Sequence, residues 1–132
     1  MKKVLFTMVT CAALFTACKK DKEKTTAEKV QATWNLNSYA YNDFYNNTAH
    51  PVNIAGVAGD YVEFRADGKA YSKIGGSKDT VAYSIVGDNK ITFDGESFDI
   101  RTLTDNQFVM YSKVVTSTTP PEYDETTITL SK

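Results

Sequence analysis

The sequence has few of the residues that catalytic and metal sites commonly need. Its 132 residues include two cysteines, Cys11 and Cys18, and a single histidine, His50. His50 precedes Pro51, and the chain offers no cluster of histidines and cysteines for a metal. No nucleophile with a neighbouring base is indicated either. We therefore expect no cofactor and no metal, and we expect that the protein is not an enzyme.

The chain also lacks an excess of charge of one sign, with 15 basic and 16 acidic residues. Proteins that neutralise phosphates normally carry a basic surplus, so nucleic acid is not expected as a partner. The charge is unevenly divided. Residues 19–29 contain five lysines and three acids, whereas residues 30–132 contain eight basic and thirteen acidic residues. This division predicts a basic linker before a mildly acidic body.

No apolar run is long enough for a membrane-spanning helix. The longest, residues 4–17, has fourteen residues and follows Lys2 and Lys3, whereas a ~30 Å hydrocarbon core requires ~20 residues. A positive start, a short apolar stretch and small residues before a cleavage point are typical of a secretory signal peptide. We predict a signal peptide over residues 1–17.

The end of this stretch, "LFTAC" at residues 14–18, resembles the lipobox of bacterial lipoproteins. Phe15 is the apolar residue, Ala17 the small one and Cys18 the cysteine. The resemblance implies a diacylglyceryl group on the Cys18 thiol, cleavage before Cys18 and acylation of the new amino group. Two or three acyl chains, at ~0.8 kcal/mol per buried CH₂, anchor a protein stably in a membrane.

The alternative is a plain secreted protein that is cut after Ala17. Cys11 leaves with the signal in both cases, so Cys18 would then remain as a thiol without an intramolecular partner. We expect residues 18–29 to form the lipidated cysteine and a flexible polar tether, since they offer no apolar face to bury. Lys19 stands where an Asp often signals inner-membrane retention. The resemblance therefore implies the outer membrane, on either its periplasmic or its surface face.

Beyond Val30 the apolar residues alternate with polar ones, as in "TWNLNSYAY" and "DYVEFRADG". Period-two alternation between short turns rich in Asp, Asn and Gly predicts strands joined as hairpins. Eight strands are predicted at about 33–41, 60–66, 69–75, 79–86, 90–94, 97–103, 107–117 and 122–131.

An eight-stranded meander has two exposed edges unless it closes. We therefore predict an all-β domain over residues 30–132, folded as an eight-stranded antiparallel up-and-down β-barrel. The stretch between the first two strands, residues 42–59, contains Asn, Pro and Gly. We expect it to be a long loop over one mouth of the barrel.

Four segments taken in series resemble the lipocalin-like lipoproteins of Gram-negative envelopes. They are "ATWNL" (32–36), "YVEFRADGKAY" (61–71), "YSIVGDNKITF" (83–93) and "IRTLTDNQFVMYS" (100–112). The resemblance implies a lipocalin-like, or calycin-like, barrel behind the lipid anchor.

The strand phase predicts which side chains line the interior, which in eight strands is either filled or holds one small ligand. The predicted lining is Trp34, Leu36, Val62, Phe64, Ile74, Val81, Tyr83, Ile85, Ile91, Phe93, Phe98, Ile100, Phe108, Met110, Ile128 and Leu130. Each of these residues is alternatively plain core. The candidate ligand-binding residues are Trp34, Tyr39, Tyr41, Phe44, Tyr45, Phe64, Tyr83, Phe93 and Phe108.

The aromatic residues at the end of the first strand admit two interpretations. Tyr39, Tyr41, Phe44 and Tyr45 form a rim for a ligand, or Phe44 and Tyr45 fold down and plug the mouth.

Two functions follow from the predicted barrel. In the first, the barrel binds a small hydrophobic or amphipathic ligand. In the second, a solid barrel acts as an interaction or inhibitor module on another envelope protein. The second is motivated by four apolar side chains on the outward phase, Val109, Tyr111, Val115 and Tyr123.

Overall fold

The computed structural model describes residues 22–132. The predicted signal peptide (1–17) and the predicted lipidation site Cys18 lie outside the described residues. Within the described part, no helix is long and apolar enough to cross a membrane. The elements are α1 (Thr26–Val30), β1 (Thr33–Tyr45), β2 (Thr48–Ala55), β3 (Tyr61–Phe64), β4 (Lys69–Ile74), β5 (Ser77–Val86), β6 (Lys90–Phe93), β7 (Glu96–Leu103), β8 (Gln107–Thr118) and β9 (Pro121–Ser131).

Eight of the strands close into an antiparallel up-and-down barrel, which confirms the predicted fold class. From β3 to β9 each strand pairs with the next, and β1 pairs with both β3 and β9. The closing ladder between β1 and β9 runs from Asn35 opposite Ser131 to Phe44 opposite Tyr123. Because this ladder and all eight strands lie within residues 22–132, this part of the chain has a complete core and can fold on its own.

Seven of the predicted strands agree with the observed bounds to within two residues at each end. The exception is β1, which continues to Tyr45. The segment at residues 42–59 is therefore not a long loop, and that prediction is wrong. The chain turns at Asn46 and Asn47 and returns as β2, which pairs with β1 along its whole length. Both asparagines have positive φ, 51° and 57°, as a two-residue type I′ hairpin turn requires.

The β1–β2 and β8–β9 hairpins extend the barrel at one end. Residues 38–44 of β1 pair with β2 on one side and with β9 on the other. Residues 112–118 of β8 pair with β9 alone in the described part of the chain. β2 and the adjoining ends of β1, β9 and β8, in the order β2-β1-β9-β8, rise beyond the rim. We call this part the sheet extension. Its concave face continues the inner wall of the barrel.

The opposite end of the barrel is closed by α1. A capping box fixes the start of this helix: Thr25 Oγ1 accepts the Glu28 N–H at 3.2 Å, and Glu28 Oε2 accepts the Thr25 N–H at 2.7 Å. At its end, the side chain of Val30 is buried, and the Val30 carbonyl accepts the Trp34 Nε1–H at 2.9 Å. The helix begins at Thr26, so regular structure reaches into the segment predicted as a tether.

A β-bulge in β1 decides which of its side chains face inward. The register against β9 shifts between Leu36 and Ser38, so the inward phase changes from even to odd residue numbers. Leu36 points inward, and the next inward residue is Tyr39, opposite Ile128. The bulge therefore places Phe44 on the outer face.

The core consists largely of the side chains predicted to face inward. The buried cluster contains Val30, Trp34, Leu36, Val62, Phe64, Ala70, Tyr83, Ile91, Phe98, Phe108, Met110, Ile128 and Leu130. Of the other predicted lining residues, Val81, Ile85, Phe93 and Ile100 are partly buried against this cluster. Val30 and Ala70 were not predicted.

Candidate ligand-binding site

An open cavity lies at the end of the barrel away from α1, and its volume is about 270 Å³. This is slightly smaller than the ~300–1,000 Å³ of pockets for drug-sized ligands. Nine of its lining residues are apolar or aromatic and three are polar. They are Leu36, Tyr39, Ile54, Val62, Ile74, Val81, Phe93, Met110 and Ile128, with Ser72, Asp79 and Asp94.

The strand register explains why these side chains share one space. Tyr39 lies opposite Ile128 of β9 and opposite Ile54 of β2. Directly opposed residues of antiparallel strands project from the same face of the sheet. By the same rule, Ser72 lies on the inward face together with Asp79, its partner on β5. The cavity is the space between these two parts of the wall.

Carboxylates mark the rim of the cavity. Asp79 and Asp94 line it, and an adjoining recess of about 210 Å³ shares Asp94 with it and adds Glu96. None of these three carboxylates forms an ion pair within residues 22–132. Among the residues that the structure describes, no lysine, arginine or histidine lines either recess. The rim therefore combines acidic groups with an apolar interior.

The backbone holds both aspartates in place. Asp79 Oδ1 accepts the Thr80 N–H at 2.7 Å. Asp94 lies in the turn between β6 and β7 with φ at 52°, and Gly95 follows with φ at 81°. Aspartate and asparagine adopt this left-handed conformation more readily than most residues. The turn keeps Asp94 beside Phe93 at the rim.

The concave face of the sheet extension leads from the rim into solvent. Several apolar side chains on it are exposed, among them Val52, Ile54 and Val114. The Tyr41 hydroxyl donates to Asp124 Oδ1 at 3.0 Å. This hydrogen bond, together with partial burial, raises the pKa of Tyr41 because the carboxylate favours the protonated phenol.

The nine candidate aromatic residues separate into three groups. Two of them, Tyr39 and Phe93, line the cavity. Four are core residues: Trp34, Phe64, Tyr83 and Phe108. They fill the closed half of the barrel through edge and tilted ring contacts with one another.

The remaining three candidates, Tyr41, Phe44 and Tyr45, do not line the cavity. Tyr41 lies on the concave face, and the Tyr45 ring stacks on His50 at 4.2 Å between centroids. Phe44 stacks on Tyr123 at 4.8 Å on the outer face. Of the four aromatics suggested as a rim, only Tyr39 contributes to the lining, and Phe44 does not plug the mouth.

Four lining residues were not predicted at all: Ile54, Ser72, Asp79 and Asp94. Ser72 and Asp79 share the phase of Ile74 and Val81, which were predicted to face inward. The alternation could therefore have revealed them. Ile54 belongs to the segment predicted as a loop, and Asp94 lies in the turn between β6 and β7, where the alternation ends.

The outer face carries a polar and aromatic network. Glu125 Oε1 accepts hydrogen bonds from Lys113 Nζ at 3.0 Å and from the Tyr111 hydroxyl at 2.9 Å. The Lys113 ammonium also lies 3.6 Å from the centroid of the Tyr123 ring. Lys113 and then Tyr111 hold the pKa of Glu125 below its ordinary value. These contacts engage two of the four outward side chains, Tyr111 and Tyr123.

Within residues 22–132, no three His, Cys, Asp or Glu side chains come together as a metal site would require. Comparison of the chain with protein-family models, with curated proteins and with solved structures finds no match.

Proposed function

We propose that this protein is a lipid-anchored envelope lipoprotein whose barrel binds one small hydrophobic or amphipathic ligand. The cavity carries the proposal: it is open at one end, its wall is mostly apolar, and its rim is polar. This arrangement suits a molecule with an apolar body and a polar end. We propose a binding role rather than a catalytic one.

The cavity volume limits the ligand. A water molecule has a ~30 Å³ share of liquid volume, and a methylene group is of similar size. The cavity of about 270 Å³ therefore holds a chain of roughly eight or nine carbon atoms. The concave face, with Val52 and Val114 exposed, offers apolar contacts to any part that projects.

Cys18 is the proposed membrane anchor, in an outer-membrane lipoprotein of the lipocalin-like type that the sequence resembles. The segment after Cys18 joins the barrel through α1, which lies at the closed end. The cavity opens at the other end. A ligand would therefore reach the cavity from the side away from the tether.

Native mass spectrometry tests the binding role. Residues 19–132, purified from a complex cell extract, are expected to retain one equivalent of a small lipid or metabolite. A protein that is empty on purification, and that stays empty after incubation with lipid panels, would contradict this role.

Membrane fractionation tests the anchor separately. The wild-type chain is expected in the detergent-soluble membrane fraction, and Cys18→Ala is expected to move it to the soluble fraction. A wild-type chain that is already soluble would refute lipidation, whatever the barrel binds.

A second candidate function is docking of a protein partner on the sheet extension. Two strand edges favour it, because β2 and residues 112–118 of β8 each have one partner strand in the described part of the chain. Such edges can accept an added strand. If native mass spectrometry detects a protein bound in a one-to-one complex, and if Val52→Lys abolishes that complex, this function would be favoured over ligand binding.

A further inference from the structure

We infer that the ligand carries a positive charge at its polar end, as an alkylammonium compound does. This inference rests on the proposed function, since it concerns the same cavity. Its basis is the distribution of charge between the two faces of the barrel wall.

On β4 and β5 the inward face presents one carboxylate, that of Asp79, and the outward face presents ammonium groups. Ser72 and Asp79 are opposed on the inward face. The next opposed pair along β4 and β5 is Lys73 and Lys78, which alternation places on the outward face. Lys73 and Lys78, the sequence neighbours of Ser72 and Asp79, therefore point away from the cavity.

The other side of the rim is also acidic. Asp94 and Glu96 belong to the β6–β7 hairpin, and both contribute to the adjoining recess. Further out, the concave phase carries Asp43 and Asp124, and His50 lies opposite Asp43. Asp124 already accepts the Tyr41 hydroxyl.

An apolar cavity with an anionic rim discriminates between headgroups on one alkyl chain. The apolar wall contributes equally to any such ligand, since burial energy depends on area and not on charge. A cation at the rim is attracted by Asp79 and Asp94, and an anion is repelled by them. Because the rim is exposed, salt weakens both effects.

The test compares three compounds with one alkyl chain: octylammonium chloride, octanol and sodium octanoate. Isothermal titration calorimetry at low salt measures their affinities for residues 19–132. We expect octylammonium to bind most tightly and octanoate least tightly. Added salt should weaken octylammonium binding and leave octanol binding almost unchanged.

The double variant Asp79→Asn with Asp94→Asn removes the two charges and keeps the local geometry. Asparagine can still accept the Thr80 N–H, and it tolerates the left-handed φ of residue 94. Octylammonium affinity should fall about two- to thirtyfold, because exposed charge pairs contribute ~0.2–1 kcal/mol each. Octanol affinity should not change, and thermal melting verifies that the variant is folded.

Asp105→Asn is the matched control, because it removes one charge from the β7–β8 turn at the closed end. It should leave the order of the three affinities unchanged. If octanol binds as tightly as octylammonium, or if the double variant binds octylammonium like the wild type, the charge preference is wrong while the binding function stands. If none of the three compounds binds, the proposed function fails together with the inference.

Discussion

The Trp34 indole donates its Nε1–H to the Val30 carbonyl at 2.9 Å, which joins β1 to the end of α1 beneath the barrel. The Trp34 side chain is fully buried, and its ring lies 5.5 Å from that of Phe108 between centroids. Lys132 Nζ lies 4.1 Å from the Trp34 ring centroid. These contacts close one end of the barrel, and the cavity lies at the other.

Trp34→Phe should destabilise the fold without weakening ligand binding. The change leaves the Val30 carbonyl without its donor and creates a void in the core, at a combined cost of about 1–3 kcal/mol. Urea denaturation measures the loss. Thr25→Ala, which removes only the helix cap, should cost about 0.5–2 kcal/mol. An unchanged midpoint for Trp34→Phe would mean that α1 does not close the barrel in this way.

Asp60→Ala should unfold the protein at lower urea concentrations. Asp60 is 6% exposed, and its carboxylate accepts the Val57 N–H at 3.1 Å and the Gly75 N–H at 2.9 Å. It therefore ties the β2–β3 connection to the β4–β5 turn beside the cavity. Hydrogen bonds to charged groups contribute ~1.5–3 kcal/mol each, so the loss of both should cost about 3–6 kcal/mol.

Asp60→Asn provides the graded comparison, since its single amide oxygen can satisfy one of the two donors. Its loss of unfolding free energy should be smaller than that of Asp60→Ala. Asp88→Ala, in an exposed turn, should have almost no effect. Equal losses for Asp60→Ala and Asp88→Ala would show that the two hydrogen bonds do not matter.

Glu125 should stabilise the fold at neutral pH and lose this effect in acid. Its pKa is lowered from 4.5 mainly by the hydrogen bond from Lys113. A carboxyl group with a lowered folded-state pKa stabilises the native state above its unfolded pKa, and the effect disappears as pH falls through the folded-state value. Urea midpoints of the wild type and Glu125→Gln should therefore differ at pH 7 and converge near pH 3.

Glu122→Gln is the control for this pH dependence, because Glu122 is also on β9 and forms no ion pair within residues 22–132. Its midpoints should follow those of the wild type at both pH values. A Glu125→Gln difference that persists at pH 3 would point to packing rather than charge.

Val81→Phe should block the cavity, because Val81 is part of the lining and a phenyl ring would occupy space that the ligand needs. Each methylene kept out of the cavity costs ~0.8 kcal/mol. If two or more methylene groups of octanol are kept out, octanol affinity should fall about tenfold or further. Val86→Phe, on the same strand but exposed and outside the lining, is the matched control. Equal octanol affinities for the two variants would place the site elsewhere.

Alternation and turn chemistry predict the barrel because each of its strands has one buried face. The same signals fail for β2, in which every residue is exposed. Pro51 also suggested a loop, although an edge strand tolerates proline. The asparagine pair at residues 46 and 47 was the available signal, since a type I′ turn favours asparagine.

The site is less predictable than the fold, for two physical reasons. A bulge adds one residue and reverses the phase beyond it, and the sequence does not mark where the shift after Leu36 occurs. For this reason the alternation alone could not show that Phe44 lies on the outer face. The second reason explains why Asp79 was not predicted. A charged residue is normally assigned to solvent, and here solvent reaches the inward face through the open mouth.

The most direct measurement is NMR of the isoleucine δ1-methyl groups during titration with octanol. The chain has six isoleucines. Three line the cavity, Ile54, Ile74 and Ile128, and three do not, Ile85, Ile91 and Ile100. One saturable site that shifts the first three methyl signals far more than the other three is the predicted result. Shifts spread evenly over all six signals, or no saturable shift at all, would contradict a ligand-binding cavity at this end of the barrel.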